Sequence, residues 1–185
     1  MSHMSGPDPA RPLILILDDN PELSRTLGRL LEVDGYPPPI ISTDPTRAAA
    51  LYREHAPDAV LLDLDFGRGA PDGFAVLDAL RPLERDGYLP VLVLTGDDDR
   101  ELRLRALRAG ARDFIAKTAD AAELRARLRN LVEVRMLQRE LLNDNARLEH
   151  RVRERTAALA EAQLEVARRL AAAAREEDVH PRDAG

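Results

Sequence analysis

Leu13-Ile14-Leu15-Ile16-Leu17-Asp18-Asp19-Asn20-Pro21 opens the ordered part of the chain with five apolar residues in a row and then a sudden pair of acids. An unbroken apolar run of that length, with no alternation, belongs to a strand covered on both faces, as in a parallel sheet. Four further runs repeat the signal: Pro39–Ile41, Ala59–Leu62, Val91–Leu94 and Phe114–Ala116. Helical patterns lie between them, near residues 21–34, 45–56, 73–86 and 99–109. Asp44 before Pro45 and Asp72 are the expected N-caps, and Gly110 the expected stop of the fourth helix. Alternating strands and helices require right-handed crossovers, so the predicted fold is α/β, a doubly wound five-stranded parallel sheet.

In such a sheet, ligands bind at the carboxyl ends of the strands, where the strand order reverses. Asp18 and Asp19 follow the first strand, Asp63 ends the third, Thr95 ends the fourth and Lys117 follows the fifth. Three carboxylates, a hydroxyl and an ammonium are therefore expected to share one pocket. Singly, each aspartate reads as a turn former or helix cap, Thr95 as a cap and Lys117 as surface charge. Together they describe chemistry. Carboxylates at close quarters repel unless a cation sits among them, and Mg²⁺ suits an all-oxygen set that keeps positions open for water and phosphate. Asp63 then reads as a carboxylate nucleophile toward a phosphoryl group. Lys117 shares the charge of that group, and Thr95 donates a hydrogen bond to it. Lys117 is the single lysine among 27 basic residues, and its compact ammonium suits one phosphoryl oxygen better than a guanidinium fork does.

The bulk properties narrow the class further. Residues 12–119 carry 19 acidic against 13 basic residues, which disfavours a nucleic-acid groove, whereas residues 120–178 balance at 12 of each. There is no cysteine for disulfides or thiolate metal sites, and no apolar run is long enough to span a bilayer, so a cytoplasmic protein is expected. Residues 1–11, opening on Met1-Ser2-His3-Met4, read as a cloning remnant and disordered leader, and residues 179–185 as a disordered tail.

The motifs resemble the receiver domain of two-component response regulators over about residues 12–125. Leu13 to Pro21 resembles its first strand and acidic pair, Leu61-Leu62-Asp63-Leu64-Asp65 its phosphoacceptor strand, and Asp72-Gly73-Phe74 the turn before its third helix. Leu94-Thr95-Gly96 and Gly110 to Lys117 match its last two strands. The resemblance implies a flavodoxin-like sheet of order 2-1-3-4-5 and phosphorylation of Asp63 by a histidine kinase. It also implies direct Mg²⁺ ligation by Asp19 and Asp63, help from Asp18 through water, a ligand in the Asp65 backbone carbonyl, and Phe114 as the aromatic that swings inward when Thr95 moves. Two departures stand out. Leu64–Pro71 is two residues longer than the usual loop, and Thr118 replaces the proline that commonly follows the lysine, so a trans bond, or a strained one, is expected there. Asp65, two residues after the nucleophile, leaves open an aspartyl-nucleophile phosphatase or phosphotransferase. A degenerate receiver serving as a dimerisation scaffold is the remaining alternative.

From Asp120, which with Glu123 suggests a capping box, no Gly or Pro interrupts the chain to Asp178. A helix of roughly 58 residues is not stable alone and calls for a partner. A heptad places Leu131, Gln138, Asn145, Val152, Leu159 and Val166 at a, and Val134, Leu141, Leu148, Arg155, Ala162 and Arg169 at d. Asn145 at an a position favours a two-stranded parallel coiled coil, hence a homodimer with a seam through Leu131, Val134, Leu141, Asn145, Leu148, Val152 and Leu159, while the polar a and d positions leave a solvated single helix or a folded-back hairpin as the alternative. Leu141–Arg169, with Arg151-Val152-Arg153-Glu154-Arg155-Thr156, resembles linkers that join receivers to cyclic-di-GMP phosphodiesterases of the HD-GYP class, and less specifically helices of sensor kinases. Leu170–Asp178 resembles the lead-in to such a domain, although no His-Asp pair or Gly-Tyr-Pro follows.

Overall fold

Alternate side chains of a strand point to opposite faces, so an unbroken apolar run must fill two cores. The computed structural model describes residues 11–67, 72–84, 88–96 and 100–177, with side chains described as far as Leu170. The strands are β1 (Ile14–Leu17), β2 (Ile40–Ser42), β3 (Ala59–Asp63), β4 (Val91–Thr95) and β5 (Asp113–Ala116), all parallel, in the order β2-β1-β3-β4-β5. The helices are α1 (Pro21–Val33), α2 (Ala48–His55), α3 (Gly73–Leu80), α4 (Arg100–Arg108) and α5 (Ala121–Glu177). This is the doubly wound, flavodoxin-like arrangement expected from the sequence.

Ile14 and Ile16 of β1, Leu61 of β3 and Leu92 and Leu94 of β4 share one core with Leu27 and Leu31 of α1 and Leu124 and Leu128 of α5. The residues between them, among them Leu15, Leu17, Val60, Leu62 and Val93, meet Leu51 of α2, Leu77 and Leu80 of α3 and Ala106 of α4 in the other core. Each fully buried leucine or isoleucine contributes roughly 1.5–3 kcal/mol relative to exposure.

The element ends follow local chemistry. Asn20 caps α1, its Oδ1 accepting the N–H groups of Glu22 and Leu23 at 3.0 and 3.1 Å, with Pro21 as first helical residue. Asp44 and Asp72 cap as expected, although Asp44 opens a 3₁₀ turn at Pro45–Arg47 before α2 begins. The third helix ends sooner than expected: α3 stops at Leu80 and passes into a 3₁₀ turn at Arg81–Leu83, where Pro82 cannot continue an α-helix. Gly110 ends α4 with φ +111°, and α2 ends on Ala56 in the left-handed region, which no glycine announced. The Asp120 carboxylate accepts the Glu123 N–H at 2.7 Å, while Glu123 itself takes the guanidinium of Arg127 one turn on. The Lys117–Thr118 peptide is trans. Residues 1–10, 68–71, 85–87, 97–99 and 178–185, on which the expected leader, the lengthened loop, the end of the third helix and the tail fall, lie outside the described residues.

The chain divides into two compact units, the first ending at Gln138 and the second beginning at Arg139. The first takes in the opening turns of α5 because Leu124, Leu128, Leu131 and Val132 belong to its core. Leu131 is therefore a correction. Expected to open the dimer seam, it is 9% exposed and packed with this unit's own core, so its side chain is not available to a second chain. A buried pair ties α5 to the amino ends of the strands: Arg135 donates to the Tyr88 carbonyl at 3.2 Å and lies 4.0 Å from the Asp58 carboxylate, which in turn accepts the Leu13 N–H. In the second unit every side chain from Glu140 to Leu170 is exposed.

Candidate functional site

β1 and β3 are neighbours, and β1 also pairs with β2, so the strand order reverses beside β1 and opens a crevice at the carboxyl ends of both. Asp18 and Asp19 follow β1, and Asp63 is the last residue of β3. One carboxylate oxygen from each lies within 4.8 Å of the other two. Asp18 is fully buried and Asp63 almost so, while Asp19 faces solvent. The cleft, of about 470 Å³, is lined by Asp19 and Asp63 together with Asn20, Asp65, Thr95 and Lys117.

Lys117 closes the cluster. Its Nζ lies 2.5 Å from Asp63 Oδ2 and 3.1 Å from Asp18 Oδ2, so one ammonium offsets the repulsion between the two buried acids. Burial works to lower the lysine's pKa, but the hydrogen bond and charge of Asp63 and the charge of Asp18 outweigh it, and the group stays above its ordinary value. Burial pushes the Asp63 carboxyl up from the usual carboxylate range against hydrogen bonds from Lys117 and the Asp65 N–H, and the charge of Asp18 adds to the push. A divalent cation beside Asp63 acts in the opposite direction, favouring the ionised form.

The donor set fits a hard cation. Oxygen ligands reach Mg²⁺ or Ca²⁺ at about 2.0–2.6 Å, a span that carboxylates spaced as these are can bracket. Asp18 Oδ1 accepts the Asn20 N–H at 2.8 Å, whereas its buried Oδ2 stands 3.1 Å from the Lys117 ammonium as an ion pair and accepts no hydrogen bond. Asp19 carries the exposed carboxylate of the three.

Backbone geometry fixes the rest. The Asp65 N–H donates to Asp63 Oδ1 at 3.1 Å, and the Asp65 side chain accepts the N–H of Gly67, whose φ of +76° makes that tight turn accessible to glycine. Gly73 packs directly on this loop: a Cβ there would lie 2.4 Å from the Asp63 carbonyl oxygen, and its N–H donates to the Leu64 carbonyl at 3.0 Å. The Thr95 carbonyl accepts the Lys117 N–H at 2.7 Å, so the hydroxyl-bearing residue and the lysine are joined through backbone.

Of the residues expected at the site, Asp18, Asp19, Asp63, Asp65, Thr95 and Lys117 converge. Phe114 does not line the cleft. It stands half-buried on β5, paired in register with Val93. Asn20 and Gly73 were missed as site builders, although the Asn-Pro and Asp-Gly dipeptides were visible signals for both.

The model of the response regulator receiver domain family matches residues 14–129. The chain belongs to that family. Receiver domains accept a phosphoryl group on aspartate from histidine kinases in two-component signalling, and they generally bind Mg²⁺ at an acidic pocket. This receiver is 41% identical over 126 residues to the transcriptional regulatory protein KdpE of Mycobacterium tuberculosis, covering 65% of this chain and 50% of that one. It is 36% identical over 121 residues to the DNA-binding dual master transcriptional regulator RpaA of Synechocystis, covering 65% and 49%. The chain thus spans about half the length of the curated relatives it matches. Among solved structures, the BeF₃-activated N-terminal receiver domain of Klebsiella pneumoniae RstA superposes with a TM-score of 0.59 at 28% identity, covering 65% of this chain and 97% of that one. Among the described residues no helix is long and apolar enough to cross a membrane.

Proposed function

We propose that Asp63 is the phosphoacceptor of this receiver and that a histidine kinase supplies the phosphoryl group. One Asp63 carboxylate oxygen forms the bond to phosphorus as the bond from phosphorus to the kinase imidazole nitrogen breaks, and that nitrogen keeps the electron pair. The observation that carries this reading is the convergence on Asp63 of Lys117 at 2.5 Å and of two further carboxylates around an open cleft. Asp19, Asp63 and the Asp65 carbonyl are the groups that would hold Mg²⁺, with Asp18 acting through water. The ion supplies positive charge where the transferring phosphoryl oxygens gather negative charge. Lys117 leaves the Asp63 carboxylate for a phosphoryl oxygen, and Thr95 donates its hydroxyl to another. Because Thr95 and Lys117 share a backbone hydrogen bond, that movement reaches β5, and Phe114 shifts inward.

The output path we infer is α5 of two chains joined as a parallel coiled coil. Leu141, Leu148, Val152 and Leu159 are 53–64% exposed and recur at heptad spacing around Asn145. With Leu131 held in the core, the seam begins at Val134, which is 50% exposed. The output itself is of the kind the linker resembles, a cyclic-di-GMP phosphodiesterase of the HD-GYP class. The test of the site is labelling with acetyl phosphate in Mg²⁺. Parent protein gains a hydroxylamine-labile phosphoryl group and Asp63→Asn gains none; equal labelling of both defeats the assignment.

A further inference from the structure

α4 presents two arginines to aromatic rings on different neighbours. The Arg103 guanidinium carbon lies 4.8 Å from the centroid of the Phe114 ring on β5, and that of Arg105 lies 3.8 Å from the centroid of Phe74 on α3. A guanidinium over a ring face is held by the ring quadrupole. Composition says nothing here, since almost every basic residue in the chain is arginine; the placement over the ring does. Phe74 is buried, whereas Phe114 is only half-buried, so the Arg105 contact anchors α4 to α3 while the Arg103 contact bears on a ring with room to leave.

We propose that Arg103 is a positioning residue for the switch: its guanidinium holds the Phe114 ring in the resting arrangement, and phosphorylation must part the two. This rests on the reading of Asp63 as phosphoacceptor and of Phe114 as the aromatic that moves. A ligand shifts an equilibrium only by its differential affinity for the two states, and a contact made in the resting state alone opposes activation. Removing it therefore makes the activated state easier to reach.

The test uses the whole 185-residue chain labelled with 4-fluorophenylalanine. Its three phenylalanines give three fluorine resonances, the one from position 114 being assigned by Phe114→Leu. Fluoroberyllate with Mg²⁺ serves as the phosphoryl mimic. In Arg103→Gln the ligand-free Phe114 resonance moves toward its fluoroberyllate-bound position, and fluoroberyllate binds about two- to fivefold tighter, the effect of an exposed cation–π contact. Arg103→Lys falls between parent and Arg103→Gln, and in a Phe114→Leu background Arg103→Gln changes nothing. An unmoved ring resonance in a protein that binds fluoroberyllate overturns the role of Arg103 alone. So does an equal effect of Arg103→Gln in the Phe114→Leu background, which would mean that Arg103 acts on the charge of the cleft. Failure of the parent protein to bind fluoroberyllate overturns the phosphoacceptor reading and the switch with it.

Discussion

Replacing Gly73 by alanine places a methyl group 2.4 Å from the Asp63 carbonyl oxygen, 2.6 Å from Leu64 Cα and 2.9 Å from Leu64 Cδ2. Two of these neighbours are backbone and cannot rotate away. Merely to reach 3.0 Å, the Asp63 carbonyl and the start of α3 must separate by about 0.6 Å, stretching the hydrogen bond from the Gly73 N–H to Leu64. Overpacking of this kind costs about 1–3 kcal/mol, against a gain of under about 1 kcal/mol from the better helix propensity of alanine. The displacement falls on the peptide that carries the proposed nucleophile, and misplacement approaching 1 Å slows a positioned reaction by up to about a hundredfold. Urea denaturation and the initial rate of acetyl phosphate labelling measure the two effects separately. Asp72→Ala is the control. It loses the cap to the Ala75 N–H, costing about 1 kcal/mol, but leaves Asp63 in place and the labelling rate near that of the parent. A Gly73→Ala protein with parental stability and parental labelling would refute the claim that this glycine sets the position of Asp63.

Lys117→Met leaves two buried carboxylates facing each other, and its stability in a chelator falls by up to about 3–5 kcal/mol. Thermal unfolding then shows a larger upward shift on adding Mg²⁺ than in the parent, and equal shifts contradict the pairing of Lys117 with Asp18 and Asp63. Arg135→Met keeps the stem but loses the bond to the Tyr88 carbonyl and the charge opposite Asp58, lowering stability to urea by about 1–3 kcal/mol. Leu148→Glu and Val152→Glu put charge into the proposed seam, so sedimentation velocity finds a dimer in the parent and a monomer in each variant. Unchanged sedimentation in both argues against the coiled coil.

The sheet was legible because Leu13–Leu17 and Val91–Leu94 are apolar without alternation, and only a strand with helices on both sides accommodates such runs. The site was legible for a related reason. Strand-end positions are fixed by the sheet, so Asp18, Asp63, Thr95 and Lys117 had to meet once the strands were parallel and adjacent. What escaped reading depended on contacts between distant residues. Arg135 meets Asp58 across 77 positions, and neither residue type announces the other. Leu131 satisfies a heptad equally well whether it faces a second chain or the sheet of its own; the turns of α5 seated on β1, β3 and β4 decide that. Pro82 was a visible helix breaker, and the end of α3 beside it was misjudged because the apolar pattern ran on. Ala56 carries no signal of its left-handed backbone, since the residue type resists that conformation and tertiary packing overrides it.

The most direct measurement is to locate the phosphoryl group chemically. Reduction of the acetyl phosphate-treated protein with borohydride, followed by peptide mass spectrometry, converts a phosphoaspartate to homoserine at its own position. Homoserine is expected at position 63, dependent on Mg²⁺ and greatly diminished in Lys117→Met. Homoserine at 19 or 65 instead, or at none of the aspartates of the cleft, would contradict it.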